Sequence, residues 1–299
     1  MDFYRTFDWE YGRCDQLSPL IQRVICNNPS HFTYTGTGTY IIGKAERGSS
    51  VAVIDPGPVD DAHLQALLKA IDGRPVSHIV ITHTHSDHSP LSRRLSKACA
   101  NAPIFAAPLP SGDKAAMLLD EEDDESFLPD VVLHDGDIIS GDGWTLETIT
   151  TPGHASNHLA FALIEENALF SGDHIMGWST TIVSPPDGDM ADYISSLDKV
   201  MALDFNIIWP THGPAITDVR PFLRDYRAHR MRREEQVLER LEAGDTRISQ
   251  MVPILYTSVD KGLWPAASLS VLSHLTKLMK DGRVIAEPSA ELSASWTLT

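Results

Sequence analysis

Apolar residues recur with two different periods along this chain, and the period changes from block to block. Ile21–Ile25, Thr39–Ile42, Val51–Ile54 and Ile79–Ile81 are short runs rich in β-branched residues, the pattern of strands buried on both faces. Trp144–Thr150 alternates and predicts a strand, and Leu159–Ile164 with Ala168–Phe170 predicts a hairpin. Pro103–Ala107 and Ile207–Pro210 read as two further strands. Between these blocks Leu64, Leu67, Leu68 and Ile71 recur at helical spacing, with Asp60 and Asp61 at the start and Gly73 past the end. Leu91–Ala100 and Asp192–Met201 predict two more helices, the first with Ser89-Pro90 as its N-cap and first position.

From Pro221 onward the pattern becomes helical. Arg224, Arg227, Arg230, Arg232 and Arg233 lie on a helix that carries Val237, Leu238 and Leu241 on one side and Gly244 after its end. Ile248–Leu255 predicts a short second helix. Pro265 opens a third, with Leu269, Leu272, Leu275, Leu278 and Met279 at helical spacing and Asp281-Gly282 closing it. Val284-Ile285 predicts a strand. The shift divides the chain into residues 1–219 and a smaller domain, residues 220–299.

Composition narrows the class. With 42% hydrophobic and 22% charged residues in 299, the chain has the make-up of a soluble globular protein with a sizeable core. No apolar run approaches the roughly 20 residues needed to cross a bilayer, so no membrane role is expected. Met1-Asp2-Phe3-Tyr4-Arg5 lacks the basic and apolar regions of a signal peptide. Cys14, Cys26 and Cys99 are odd in number and scattered, which fits a reducing cytoplasm. Net charge is −17, unevenly spread: of 24 Lys+Arg and 41 Asp+Glu, residues 220–299 hold 12 and 10, leaving residues 1–219 with 12 and 31. The larger block is therefore at −19, which repels polyanions and disfavours nucleic acid as a partner. Asp120–Glu125 is a charge run expected to be a solvated loop.

The chemistry gathers at the end of one strand. In His78-Ile-Val-Ile-Thr-His83-Thr-His85-Ser-Asp87-His88 an extended backbone points His83 and His85 the same way, and Asp87 and His88 follow on a turn. Three imidazoles and a carboxylate within six residues are the N/O donors that zinc-like divalent cations prefer, whereas a lone strand histidine is usually structural. Downstream, three more strands end in polar turns: Thr151-Pro152-Gly153-His154, Ser171-Gly172-Asp173-His174 and Thr211-His212-Gly213.

His83-Thr-His85-Ser-Asp87-His88 resembles the His-x-His-x-Asp-His signature of metallo-β-lactamase-fold hydrolases, and the downstream turns resemble that family's later motifs in order. The stretch around Gly36-Thr-Gly38-Thr-Tyr40 and the three C-terminal helices followed by a strand are similar to the lactamase-like-protein-2 branch, which carries a winged-helix domain at its C-terminus. The fold this implies is α/β, a four-layer αβ/βα sandwich with a small C-terminal winged-helix-like domain. The resemblance implies His83, His85 and His154 as ligands of one metal, Asp87, His88 and His212 as ligands of a second, and Asp173 as the bridge. It implies Asp87 as the residue that also orients or relays the proton of the nucleophile, and Asp55 as a support for the ligating loops. His158 and His174 lie outside the family's ligand set and are expected to be structural.

The implied activity is a dinuclear metal-dependent hydrolase that uses a metal-activated hydroxide. The implied cofactor is Zn²⁺, two per chain, with Fe or Mn as the other occupants of such donors. The acidic body points to a small-molecule ester, thioester or lactone. The alternative is an endoribonuclease or phosphodiesterase of the lactamase-like-protein-2 type. Di-iron reductases of this fold usually carry a carboxylate where His85 stands, and mono-iron dioxygenases dispense with several second-site ligands, so the full His-rich set argues against both. A winged helix invites a DNA-binding reading, but the third helix offers only Lys277 and Lys280 as exposed cations. Capping the substrate, bracing the fold or joining copies into a homo-oligomer is the expected role. Trp178 is open between core and substrate wall.

Overall fold

The computed structural model describes residues 2–108, 124 and 127–299. Of the acidic run Asp120–Glu125, only Asp124 falls within these. A seven-stranded sheet is built, in spatial order, from β1 (Cys14–Gln16), β2 (Ile21–Ile25), β3 (Gly38–Ile42), β4 (Val51–Ile54), β5 (Val76–Val80), β6 (Ile104–Ala106) and β7 (Val131–Val132). Its first four strands are antiparallel, and β4 to β7 run parallel. The second sheet has five strands, β8 (Ile138–Gly141), β9 (Trp144–Thr150), β10 (Leu159–Leu163), β11 (Ala168–Gly172) and β12 (Ile207–Pro210), in the order β12-β11-β10-β9-β8.

Strand periodicity sorts the apolar residues into three layers. On β4, Ala52 and Ile54 face the second sheet, where Leu146, Phe161, Leu163 and Phe170 meet them. Val51 and Val53 face outward, onto α1 (Asp61–Ile71) and α2 (Ser92–Ala98), through Leu64, Leu67, Ile71 and Leu95. On the far side Ala160, Ala162 and Leu169 of the second sheet pack on α3 (Met190–Met201) and the start of α4 (Val219–Glu242), through Tyr193, Leu197, Phe222 and Tyr226. Each large apolar side chain buried in this way contributes about 1.5–3 kcal/mol, so the helix–sheet–sheet–helix stack is fixed by these alternations. It is the four-layer sandwich that the sequence resemblance implied.

The C-terminal module is a separate apolar cluster formed by α4, α5 (Ile248–Leu255), α6 (Trp264–Lys280) and a hairpin of β13 (Val284–Glu287) and β14 (Ser295–Leu298). Helix α4 is shared: Phe222 and Tyr226 belong to the sandwich, Val237 and Leu241 to the module. Strand β14 was not visible in the sequence, because only its Trp296 is buried and its neighbours are polar. Two expectations need correcting. Ser89 does not cap a helix; residues 86–91 form turns and α2 begins at Ser92 with Leu91 at its N-cap. Lys277 is not an exposed cation: its side chain is 14% exposed and it pairs with Glu234 and Asp281 at 3.0 and 2.8 Å.

Candidate metal centre

Five strands deliver their C-terminal ends to one edge of the sandwich. β4 runs into Asp55, β5 into residues 82–88, β9 into Thr151–His154, β11 into Asp173, and β12 into Thr211-His212. Backbone bonds lock these ends together, across the two sheets where Leu159 N–H donates to the Thr82 carbonyl at 2.7 Å and Gly38 N–H to Thr211 at 2.8 Å, and within the second sheet where Thr211 N–H donates to Gly172 at 3.2 Å. The turn before Asp173 requires glycine. Gly172 has φ +52°, and a Cβ there would lie 2.6 Å from His158 Nε2.

All seven residues implied as ligands converge at this edge. The donor atoms of His83, His85 and His154 lie within 4.8 Å of one another, as do those of Asp87, His88 and His212, and those of His83, His88 and Asp173. His83 Nε2 is 2.9 Å from His85 Nδ1, and Asp87 Oδ2 is 3.0 Å from His212 Nε2. Asp173 stands between the groups, 3.9 Å from His154 Nε2, 3.4 Å from His212 Nε2 and 3.7 Å from His88 Nε2.

The opposite ring nitrogens explain this orientation. His154 Nδ1 donates to the Ile182 carbonyl at 2.7 Å and His212 Nδ1 to the Gly36 carbonyl at 3.2 Å. A carbonyl only accepts, so each Nδ1 carries a proton and each Nε2 is the nitrogen turned to the centre, the one a cation would take in place of any second proton. His88 Nδ1 meets Asp55 Oδ2 at 2.9 Å. Asp55, fully buried, also accepts from Thr82 N–H and Oγ1 at 2.8 Å each and from Thr211 Oγ1 at 3.0 Å, which ties the ends of β4, β5 and β12 to one carboxylate. The sequence hint for these two threonines was the Thr-His pair, which occurs at both Thr82-His83 and Thr211-His212.

His158 and His174 stay outside the cluster. Asp173 N–H donates to His158 Nε2 at 3.1 Å, so that nitrogen is spent on placing Asp173, and His158 Nδ1 lies 2.8 Å from Thr151 Oγ1. The His174 ring packs 4.9 Å from that of Tyr193, and burial pushes its imidazole down to about 3. Trp178 is half-buried and stacks on Tyr34, ring centroids 4.8 Å apart, against Gly213 beside His212.

Electrostatics divides the centre. Burial, helped by the surrounding imidazoles, holds His83 well below its ordinary value and therefore neutral. Burial alone would lower His212 too, but Asp173 and Asp87 push it up to about 10; Asp87 and Asp173 likewise carry His88 upward against its burial. Burial opposes the charge on Asp87, yet the facing His88 and His212 keep it well below the usual carboxylate range. This end of the cluster therefore attracts positive charge. His88 Nε2, His154 Nε2, His212 Nε2 and Asp173 Oδ1 are buried and have no hydrogen-bond partner of good geometry. Leaving such atoms unsatisfied costs about 1–3 kcal/mol each. The donor set therefore fits divalent cations.

Comparison with known proteins agrees with this geometry. Residues 37–212 match the profile of the Metallo-beta-lactamase superfamily, a span that holds all seven residues. The chain belongs to the metallo-beta-lactamase superfamily. Residues 248–296 match the beta-lactamase associated winged helix domain. Among relatives within the superfamily, a beta-lactamase-like protein 2 homolog of Caenorhabditis elegans is 32% identical over 93% of this chain and 90% of its own length. Its Drosophila melanogaster counterpart is 30% identical over 92% and 93%. An atrochrysone carboxyl ACP thioesterase of Paecilomyces divaricatus is 29% identical over 90% and 83%. A metallo-beta-lactamase family protein of Thermus thermophilus has the same fold, with a TM-score of 0.76 at 22% identity over 95% of this chain and 100% of that one. Among the described residues no helix is long and apolar enough to cross a membrane.

Proposed function

We propose that this protein is a hydrolase that holds two divalent cations, zinc in the first place, and cleaves small acyl substrates, thioesters above all. The observation that carries the proposal is the set of buried metal-ligating atoms, three imidazole nitrogens and one carboxylate oxygen, aimed into one space from four strand ends without a hydrogen-bond partner of good geometry. When bound, the cations supply Lewis acidity, which lowers the pKa of water from 15.7 towards about 7 and polarises the attacked carbonyl. His83, His85 and His154 would hold one cation, Asp87, His88 and His212 the other, and Asp173 would touch both. Asp87 has a second task. Its side chain is 21% exposed, against 0–8% for His88, His154, Asp173 and His212, so it can orient the attacking water and pass its proton outward.

Two features favour acyl substrates over RNA. The relatives include an acyl-carrier-protein thioesterase. Helix α6, the third helix of the winged-helix module, buries nine of its residues, and its basic end groups are engaged: Lys277 with Glu234, Lys280 with Asp189. Little of it is left to enter a nucleic-acid groove. The free thiols Cys14, Cys26 and Cys99 support a reducing compartment such as the cytoplasm. The test is a panel of thioester, ester, lactone, β-lactam, phosphodiester and RNA substrates, each with and without chelator. Thioester turnover that is lost with EDTA and regained with zinc is expected. RNA cleavage that is chelator-sensitive and falls steeply with salt, without thioester turnover, would select the nuclease instead.

A further inference from the structure

We propose that Arg230, on α4 of the C-terminal region, is a positioning residue for the metal centre: it fixes the Thr181-Ile182 dipeptide, whose second carbonyl aims His154. The inference rests on the dinuclear reading above and names a residue outside the ligand set. Arg230 is 4% exposed, and among the described residues its guanidinium has no carboxylate within ion-pair distance. It lies 4.8 Å from the Tyr193 ring and 5.7 Å from the Tyr226 ring, and its Nη2 donates to the Thr181 carbonyl. A buried cation without an anion is costly, and two aromatic faces and one carbonyl dipole only partly offset that cost. Its evident work is on residues 181–182.

That peptide serves the centre from both sides. Thr181 N–H donates to the Tyr226 hydroxyl at 2.7 Å, and Thr181 Oγ1 donates to the Asp173 carbonyl at 2.7 Å. The next carbonyl, that of Ile182, accepts His154 Nδ1–H at 2.7 Å. Arg230 and Tyr226 of α4 thus hold one segment that touches both the bridging carboxylate's backbone and the ring of His154. A second tie runs through Asp189: Lys280 of α6 pairs with its carboxylate, and its N–H donates to the Gly153 carbonyl at 2.9 Å. The backbone before His154 has no slack, since a Cβ on Gly153 would lie 2.3 Å from Tyr193 Cα. Helices α4 and α6 therefore brace His154 at its ring and at its backbone.

The test titrates the metal-free full-length chain with zinc sulfate by calorimetry and records the thermal midpoint of each variant. Arg230→Met is expected to weaken one of two zinc equivalents by about 10–100-fold and to leave the other unchanged. Arg230→Lys should recover part of the loss. Tyr226→Phe, which removes one acceptor while keeping the ring, should shift the same equivalent in the same direction, and it serves if Arg230→Met does not fold. Leu275→Ala, in the module's core and away from residues 181–182, should lower the midpoint and leave both zinc affinities within about 2-fold. Wild-type zinc binding in both Arg230→Met and Tyr226→Phe would overturn the proposal. So would a loss of zinc affinity in Leu275→Ala that matches its loss of midpoint. If the wild-type chain takes up no zinc, the metal reading fails. Positioning is then judged by the slowly exchanging His154 Nδ1–H resonance, which it requires in wild type and requires to be lost in Arg230→Met; retention in the variant would refute it.

Discussion

His88 Nδ1 and Asp55 Oδ2 stand 2.9 Å apart with both side chains fully buried. This contact fixes the ring so that Nε2 faces the centre, and the same carboxylate binds Thr82 and Thr211, the residues just before His83 and His212. Asp55→Asn would turn an NH2 group toward one of these donors. The expected outcome is a fall of about 10–100-fold in affinity for the cation that His88 and His212 would hold. Isothermal titration with zinc checks it; unchanged affinity would mean that the carboxylate only braces the loops.

Gly172→Ala tests the turn that delivers Asp173. The left-handed φ of +52° strains any Cβ, and the nearest atom it would meet belongs to His158, which holds the Asp173 N–H. Backbone strain alone is worth about 1–2 kcal/mol. Loss of stability in urea together with loss of bound metal is expected. A stable, fully loaded variant would show that the turn tolerates a side chain.

His85→Ala and Asp173→Ala should abolish hydrolysis and lower metal content while the chain still folds, because both residues sit at strand ends outside the three apolar clusters. Elemental analysis and circular dichroism on the same samples check this. Full activity in either variant would refute the ligand assignment.

The module gives a pH prediction. His274 is 1% exposed, its Nδ1 lies 3.9 Å from Glu234 Oε2, beyond hydrogen-bond reach, and burial lowers its pKa. Glu234 is also buried, which opposes its charge, but the Lys277 ammonium at 3.0 Å holds it below its ordinary value. Both folded values lie under the unfolded ones. The stability each contributes is therefore complete above about 6.5 for the histidine and 4.3 for the glutamate, and is lost as pH falls below those points. His274→Leu should leave stability near wild type at pH 8 and make the chain more stable than wild type at pH 5.5, as measured by urea unfolding at both. An equal pH dependence in the two proteins would contradict it.

Much of the candidate site was legible because each of its residues stands in a short polar turn at the end of an apolar run. His83, His85, Asp87 and His88 share one strand-end turn, and His154, Asp173 and His212 each close an apolar strand run. What holds those ligands was legible only in part: the resemblance implied Asp55 as a support but named none of its partners, and nothing pointed to Arg230. Arg230 lies 49 residues from Thr181 and Asp55 lies 156 from Thr211, so only the folded chain reveals these contacts. An arginine in a helix stretch so rich in basic and acidic residues gives no sign of burial, and its burial depends on Tyr193 and Tyr226 reaching it from two helices. The edge strands β1, β7 and β8 were missed because they are only three, two and four residues long, too short for an alternation to be read along them.

The central claim is that seven side chains gather two cations that make water attack an acyl carbon. Its most direct measurement is metal stoichiometry by elemental analysis, taken alongside thioester turnover on the same preparation as chelator is added stepwise and zinc then restored. The account predicts about two divalent cations per chain, with turnover that falls and returns with them. Undiminished turnover in protein stripped of metal would contradict it.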